Sequence, residues 1–325
     1  MQRTQTHRSS LRVGWTTSLV AALLAALACA PAACAAPRLH APATHTGPAR
    51  EAAEAARVER YWTPARMRSA RPLDLAMDGT GLHLRAARHA SGAGASFLEV
   101  PTPEAPPFAV NGRLFVRQGE LHGFCSATAI NSPTRQLVLT AGHCVNSGPG
   151  ERHHRAVWSN FLEFVPGFNG GVAPFGAFVA RHDAVYAPKQ WVKHGNPDFD
   201  MGAFLTRPNT EGANVADAVG GAAAIVFGLP RAEEFQSFGY PGETTHMQTC
   251  RSPYVGDDSF TYPFAGPPTQ AIGCHWAPGA SGGGWLIAEG TQIDGLTSYS
   301  HLGDRKRTFG PYFSPENIGK LIRGL

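Results

Sequence analysis

The sequence predicts an all-β fold of antiparallel strands, in a barrel or sandwich arrangement, ending in a short C-terminal helix. Three observations carry this expectation. Short apolar runs recur between turn residues from about residue 106 onward. Gly 37 and Pro 26 in 325 residues exceed the usual share without a collagen-like period, which favours many turns over long helices. A 43% hydrophobic and 16% charged composition supplies enough core for one or two domains and excludes disorder throughout.

The runs are RLFV at 113–116, QLVLT at 136–140, MGAFL at 201–205, AAIVFG at 223–228, EFQSFGYPG at 234–242, GGWLIA at 283–288 and QIDGLTSY at 292–299. All are of strand length, and Gly, Pro, Asn and Ser separate them. The helix signal at the end combines Ser314 as N-cap, Pro315 in the first turn, Glu316 at the positive end of the dipole, and Ile318, Leu321 and Ile322 on one apolar face. The length fits two barrels of about 100 residues each, with a cleft between them as the natural place for a site.

Residues 1–36 read as a secretory signal: Arg3, Arg8 and Arg12, an apolar run from Val13 to Ala28, then small residues with Ala33 and Ala35 at the A-x-A positions. The run is short for a membrane span and no charged stop follows it, so the mature protein is expected to be extracellular and free of the membrane. Lipidation of Cys29 or Cys34 is disfavoured because neither has Leu three positions upstream. Residues 37–105 are rich in Ala, Arg and Pro, with a helix expected in PAREAAEAARVERYW and little apolar periodicity otherwise. This stretch reads as a propeptide, or alternatively as a disordered linker, ahead of a catalytic domain at 106–325. The formal charge of +4 resides in the leader. From residue 106 onward 16 basic groups face 17 acidic ones, so no nucleic-acid partner is expected.

Cys125, Cys144, Cys250 and Cys274 remain in the exported part, and four cysteines allow three pairings. Nearest-neighbour pairing, Cys125 with Cys144 and Cys250 with Cys274, closes two short loops, each worth ~3 kcal/mol if unstrained. The spacings that pack two ligands onto one metal ion are absent, and the adjacent His153 and His154 read as a solvated loop pair. Neither a metal nor an organic cofactor is expected.

Three segments carry chemistry together: LTAGHCV at 139–145, DFDMGAFL at 198–205 and PGASGGGWL at 278–286. They supply His143, Asp200 and Ser281, the base, orienting carboxylate and hydroxyl that nucleophilic acyl transfer needs. Glycines around Ser281 allow a sharp turn and a close substrate carbonyl, with the N–H groups of Gly279 and Ser281 as candidate oxyanion donors. His143 sits at the end of an apolar run beside Cys144, whose disulfide would hold its backbone. Asp198 is the rival to Asp200, which is preferred because the apolar run MGAFL follows it directly.

At these residues the chain resembles the chymotrypsin-like (trypsin-like) serine peptidases. TAGHC, the Asp followed by an apolar run, and GxSGG match that family's three signatures in order. YWTPARMRSARPLD at 61–74 together with CSATAI, GYPG and GASGGGWL is similar to secreted actinobacterial members related to the glutamyl endopeptidases. The resemblance implies two antiparallel six-stranded β-barrels, an acyl-enzyme mechanism, and protein or peptide substrates for a monomeric enzyme.

Departures from the family are informative. Ala280 precedes the nucleophile where trypsin-type enzymes keep an Asp that pairs with a freed N-terminus, so that activation route cannot operate. The resemblance implies a substrate pocket around His275, Leu296, Thr297 and Ser298. His275 stands near the position of the specificity Asp of trypsin, and the His of glutamyl endopeptidases is missing from the pocket wall. The preferred residue at the cut is therefore left open. GASGG also matches the nucleophile elbow of α/β-hydrolases, but the 44 residues after Ser281 are too few for the remaining elements of that fold. The other rival is a non-catalytic binding protein on the peptidase fold, although such relatives usually lose a triad residue.

Overall fold

In the first barrel, strands form where β-branched, aromatic and small residues are buried between neighbouring strands, and turns form where glycine takes positive φ, as at Gly119 (φ 61°) between the first two. The computed structural model describes residues 38–40, 48–79, 81–86, 97–149, 156–259 and 266–325. The signal-like segment 1–36, with Ala33, Ala35, Cys29 and Cys34, lies outside these residues, as do His153 and His154. Among the described residues no helix is long and apolar enough to cross a membrane.

The part ahead of the barrels is folded onto them, which corrects the reading of 37–105 as poor in apolar periodicity. β1 (Arg38–His40) pairs antiparallel with a barrel strand at 186–188. α1 (Pro48–Tyr61) follows, with Val58 buried, and Trp62 just past its end is buried too and donates from Nε1 to Phe161 O at 2.6 Å. α2 (Pro64–Ser69) is capped by the Thr63 hydroxyl and leads into the hairpin of β2 (Arg71–Asp78) and β3 (Gly81–Ala86). Leu73, Leu75 and Met77 alternate in β2 and are all buried, a period-two signal that the sequence carries. β4 (Leu98–Glu99) then pairs with a strand of the second barrel at 248–249.

Six strands close the first barrel: β5 (Asn111–Gln118), β6 (Leu121–Ile130), β7 (Leu137–Thr140), β8 (Asn160–Pro166), β9 (Phe178–Pro188) and β10 (Gly202–Thr206). Antiparallel pairing runs β5–β6–β7–β10–β9–β8 and returns to β5. Leu114, Phe115, Phe124, Val138, Phe164, Phe178 and Phe204 fill its interior and flanks. The single turn α3 (Gly142–Val145) follows β7, and α4 (Lys189–His194) follows β9 and ends on Gly195 in the left-handed conformation.

After α5 (Val215–Ala218), β11 (Ala224–Ile225) leads into the second barrel of β12 (Glu234–Gly239), β13 (Gln248–Asp257), β14 (Gln270–Ile272), β15 (Gly284–Ile287), β16 (Gln292–Leu296), β17 (Tyr299–His301) and β18 (Thr308–Gly310). The pairing runs β16–β15–β12–β13–β14–β18–β17, and the two residues between β16 and β17 close the ring, with the Thr297 N–H donating to Gly283 O and the Ser298 N–H to Phe309 O. Two all-β barrels of chymotrypsin-like architecture thus make up the molecule's main body. Cys125 is joined to Cys144 in the first barrel and Cys250 to Cys274 in the second.

The C-terminal helix is shorter than expected and starts later. α6 spans Ile318–Leu321, and its cap is Asn317 in place of Ser314. The Asn317 carboxamide accepts from the N–H groups of Ser314 and Ile318 and donates to the carbonyls of Asp198 and Tyr312, so Ser314–Glu316 becomes a turn around that side chain.

Candidate active site

The end of β7 and the loop ahead of β10 face each other in the first barrel, and they bring His143 and Asp200 together. His143 lies in α3, fully buried, with Cys144 beside it tied to β6. The Asp200 carboxylate brackets it: Oδ1 accepts from the His143 backbone N–H at 2.7 Å, and Oδ2 lies 2.8 Å from His143 Nδ1. Ser298 Oγ donates to the same Oδ2 at 2.5 Å. A buried carboxylate with three donors is satisfied, and it fixes the imidazole so that Nε2 remains for proton transfer. Among the described residues Nε2 has no hydrogen-bond partner. Gly142 leaves room for this arrangement, because a Cβ there would come within 2.8 Å of Asp200 Oδ1 and 2.9 Å of the Trp191 ring.

Asp198 is also buried, but it points elsewhere. Its Oδ1 lacks a partner among the described residues, and Gly266 crowds its other oxygen closely enough that a Cβ there would fall 2.5 Å away. Burial pushes its carboxyl up to about 7, against hydrogen bonding from the Thr269 N–H and the charge of Arg231.

Ser281 comes from the second barrel, on the loop ahead of β15. Gly279 and Gly282 hold the loop's turn at φ 99° and 83°, a region that disfavours side chains. Space is equally decisive: a Cβ at Gly282 would lie 2.1 Å from Thr140 Oγ1, and one at Gly283 would lie 1.9 Å from Phe238 O. Ser126, next to Cys125 on β6, clasps this loop from the first barrel. Its N–H donates to Ser281 O at 2.8 Å, and its hydroxyl donates to Gly279 O at 3.0 Å and accepts from the Tyr240 N–H at 2.9 Å. Sequence reasoning missed Ser126 in this role, although the CSATAI match contained it.

The Gly279 N–H points into the cleft, where it donates at 3.0 Å to the carbonyl oxygen of Leu73 in β2. The Ser281 hydroxyl reaches the same oxygen at 3.5 Å. The Gly279 N–H is thus aimed at a carbonyl oxygen beside the serine, as one donor of an oxyanion site would be, and here a backbone carbonyl of the chain itself accepts from it. Ala280 is fully buried in an apolar cluster with Trp276 and Trp285, its methyl group against Gly239, so no carboxylate stands at that position.

The residues expected at the substrate pocket are held in different ways. Leu296 is buried in the core, Thr297 Oγ1 accepts from Trp285 Nε1 at 3.0 Å, and Ser298 braces Asp200. His275 borders a cavity of about 690 Å³ with Phe97, Val255 and the 304–307 segment. Among the described residues, the one grouping of three metal-type donors is Cys125, His143 and Cys144, whose two sulfurs are joined in a disulfide and so offer no thiolate.

No family model matches the chain, and no curated protein does. Among solved structures it is similar to protease Anisep from Arthrobacter nicotinovorans, with 30% identity over 63% of this chain and 90% of that one at a TM-score of 0.56. A thermostable serine protease, AL20, from an extremophilic microorganism is 26% identical over 66% of this chain and 95% of that one, with a TM-score of 0.57. A Glu endopeptidase in complex with MPD, 18% identical over 70% of this chain and 95% of that one at a TM-score of 0.55, speaks for the fold alone.

Proposed function

The chain belongs to the chymotrypsin-like serine proteases, and from that premise we propose that it is a secreted endopeptidase made as a precursor, with Ser281, His143 and Asp200 as its catalytic residues. One observation carries the reading. The His143 imidazole is held by Asp200 on one side of a cleft, and a peptide carbonyl sits between Gly279 N–H and Ser281 Oγ on the other.

In the proposed reaction Ser281 Oγ attacks the scissile carbonyl carbon while His143 Nε2 takes the hydroxyl proton. The negative charge that develops on the substrate oxygen is stabilised by the N–H groups of Gly279 and Ser281, and Asp200 stabilises the imidazolium. The imidazolium then protonates the leaving amine, and water hydrolyses the acyl-enzyme by the same proton route. Residues 1–36 are proposed as the signal peptide and 37–105 as the propeptide, with the domain at 106–325 acting as a monomer on protein or peptide substrates. Two disulfides in the barrels accord with an oxidising compartment.

The test is labelling of the secreted, processed protein with a fluorophosphonate probe, with the adduct mapped by mass spectrometry against a heat-denatured control. A fold-dependent adduct on Ser281 is expected. Folded, processed protein that takes up no probe would sink the reading and favour a binding protein on the same fold.

A further inference from the structure

Resting on the peptidase reading, we propose a second function within the same chain: β2 is a built-in inhibitor that occupies the cleft with the Leu73 carbonyl oxygen on the Gly279 N–H and holds the Ser281 hydroxyl off its base. The Leu73 oxygen accepts from Gly279 N–H and from Ser281 Oγ, while His143 Nε2 has no partner among the described residues. Cleavage would require the opposite arrangement, with the hydroxyl proton passing to His143 and Oγ attacking the carbonyl carbon. With the hydroxyl spent on the carbonyl oxygen, the Leu73–Asp74 peptide bond is held in place uncut.

The strand is seated along the whole cleft. Arg71 and Pro72 pair in parallel with Gly123 and Phe124 of β6, on the first barrel. Leu75, Ala76 and Met77 pair in parallel with Tyr299, Ser300 and His301 of β17, on the second. The Leu302 N–H adds a bond to Met77 O at 2.7 Å. A peptide that joins two exposed strand edges in this way gains main-chain hydrogen bonds irrespective of its side chains.

Side chains then make the fit specific to this segment. A Cβ at Gly123 would come within 3.0 Å of the Leu73 side chain, and one at Gly242 within 2.9 Å of Pro72 Cγ, so two glycines of the cleft walls leave the space that these residues fill. Leu73 and Met77 are 0% exposed, and Leu75 and Ala76 are 2% exposed. Outside the cleft, Val58 and Trp62 pin the preceding helix to β8 and β9, and β3 completes the hairpin. Covalent attachment keeps the local concentration of the strand high enough to exclude a freely diffusing substrate. A cut in the chain between β3 and β4 removes that advantage and leaves the strand held by non-covalent contacts alone.

The experiment uses the unprocessed chain with Ser281 intact, as wild type and as the variants Leu73→Asp and Trp62→Ala, alongside processed protein. Leu73→Asp puts a charge into a buried site within the cleft, whereas Trp62→Ala loosens the anchor and leaves β2 itself unaltered. Three readouts are taken: the rate of fluorophosphonate labelling at Ser281, hydrogen exchange at the amides of Leu75 and Met77, and the integrity of the Leu73–Asp74 bond by mass spectrometry. Both variants are expected to label at least ~10-fold faster than the unprocessed wild type, whose open-cleft fraction limits probe access. In the wild type the two amides should be protected and the bond intact.

Equal labelling of processed protein and unprocessed wild type would overturn the inhibitor while leaving the peptidase standing, and so would cleavage at Leu73–Asp74. If processed protein failed to label although the unprocessed amides stayed protected, the peptidase reading would fall, and the inhibitor with it.

Discussion

The two sides of the cleft are built by different means. On the first-barrel side, Asp200 accepts from the His143 backbone and ring, held beside the Cys125–Cys144 disulfide, and from Ser298, which reaches across from the second barrel. On the second-barrel side, the loop bearing Ser281 owes its shape to glycines and to the clasp of Ser126, and its inward-pointing Gly279 N–H is satisfied by a carbonyl from β2. The base and its carboxylate are therefore complete without an occupant, whereas the nucleophile side is organised around a ligand oxygen. A polar constellation that is satisfied internally can wait for substrate, and one that is satisfied by a visitor reports what the site is shaped to bind.

The largest effect should come from breaking the first side. Asp200→Asn would leave the ring a partner while favouring the wrong tautomer, and a fall of ~10⁴-fold in kcat of the processed enzyme is expected. Burst and steady-state kinetics with a peptide ester would check this. A loss below about tenfold would remove Asp200 from its assigned role.

Next in size is a change on the second side. Gly279→Ala puts a methyl group 2.5 Å from the Phe124 ring and 2.8 Å from Tyr240 O, at a backbone φ of 99°. Relief requires moving the N–H that faces the cleft, so kcat should fall by roughly 10²–10³-fold. The thermal midpoint should fall as well, by the equivalent of ~1–3 kcal/mol of strain. Unchanged kcat in a folded variant would show that this N–H is not an oxyanion donor.

Ser298→Ala tests how far the first side depends on its outermost donor. Its hydroxyl touches neither ring nor nucleophile, so it acts by positioning Asp200. A loss of ~10-fold in kcat with little change in KM is expected, and Ser298→Thr should restore most of it because the hydroxyl is kept. If KM changed while kcat did not, Ser298 would belong to substrate binding instead.

The same contrast bears on what the sequence made legible. The signatures around His143, Asp200 and Ser281 were readable because the chemistry fixes residue type and the backbone fixes spacing. Strands β5, β7, β12 and β15 were readable because apolar runs sat between turn residues. β6 was not, since small and polar residues interrupt the apolar positions of LHGFCSATAI and leave no continuous apolar run. β9 was hidden by the ARHD stretch that bends outward in its middle. Ser126 stood only inside a matched segment and Ser298 was expected in the substrate pocket, because a brace is defined by a partner distant in sequence. β2 did carry a signal in Leu73, Leu75 and Met77. Its place in the cleft depended on tertiary pairing that no local pattern reveals.

The smallest expected effect on activity, and the sharpest contrast with Asp200, belongs to Asp198. Asp198 is buried with one carboxylate oxygen unpartnered among the described residues, and Asp258 adds repulsion while Arg231 and the Thr269 N–H oppose it. Burial raises its carboxyl from 3.8 to about 7. A folded-state pKa above the unfolded one means that the native state binds more protons between those values, so its contribution to stability is complete below about pH 4 and is lost as pH rises to about 7. Asp198→Asn removes this titration. The variant should gain on the wild type by up to roughly 4 kcal/mol between pH 4 and pH 7, measured by denaturant unfolding at each pH. Glu163 and Asp294, raised by burial to about 8 and about 7, add slopes of the same sign to both proteins, so the informative quantity is the difference between the two curves. Hydrolysis by the processed variant should stay within about threefold of wild type, since Asp198 touches neither His143 nor the cleft oxygen. A loss on the scale of Asp200→Asn would reverse the assignment of the orienting carboxylate.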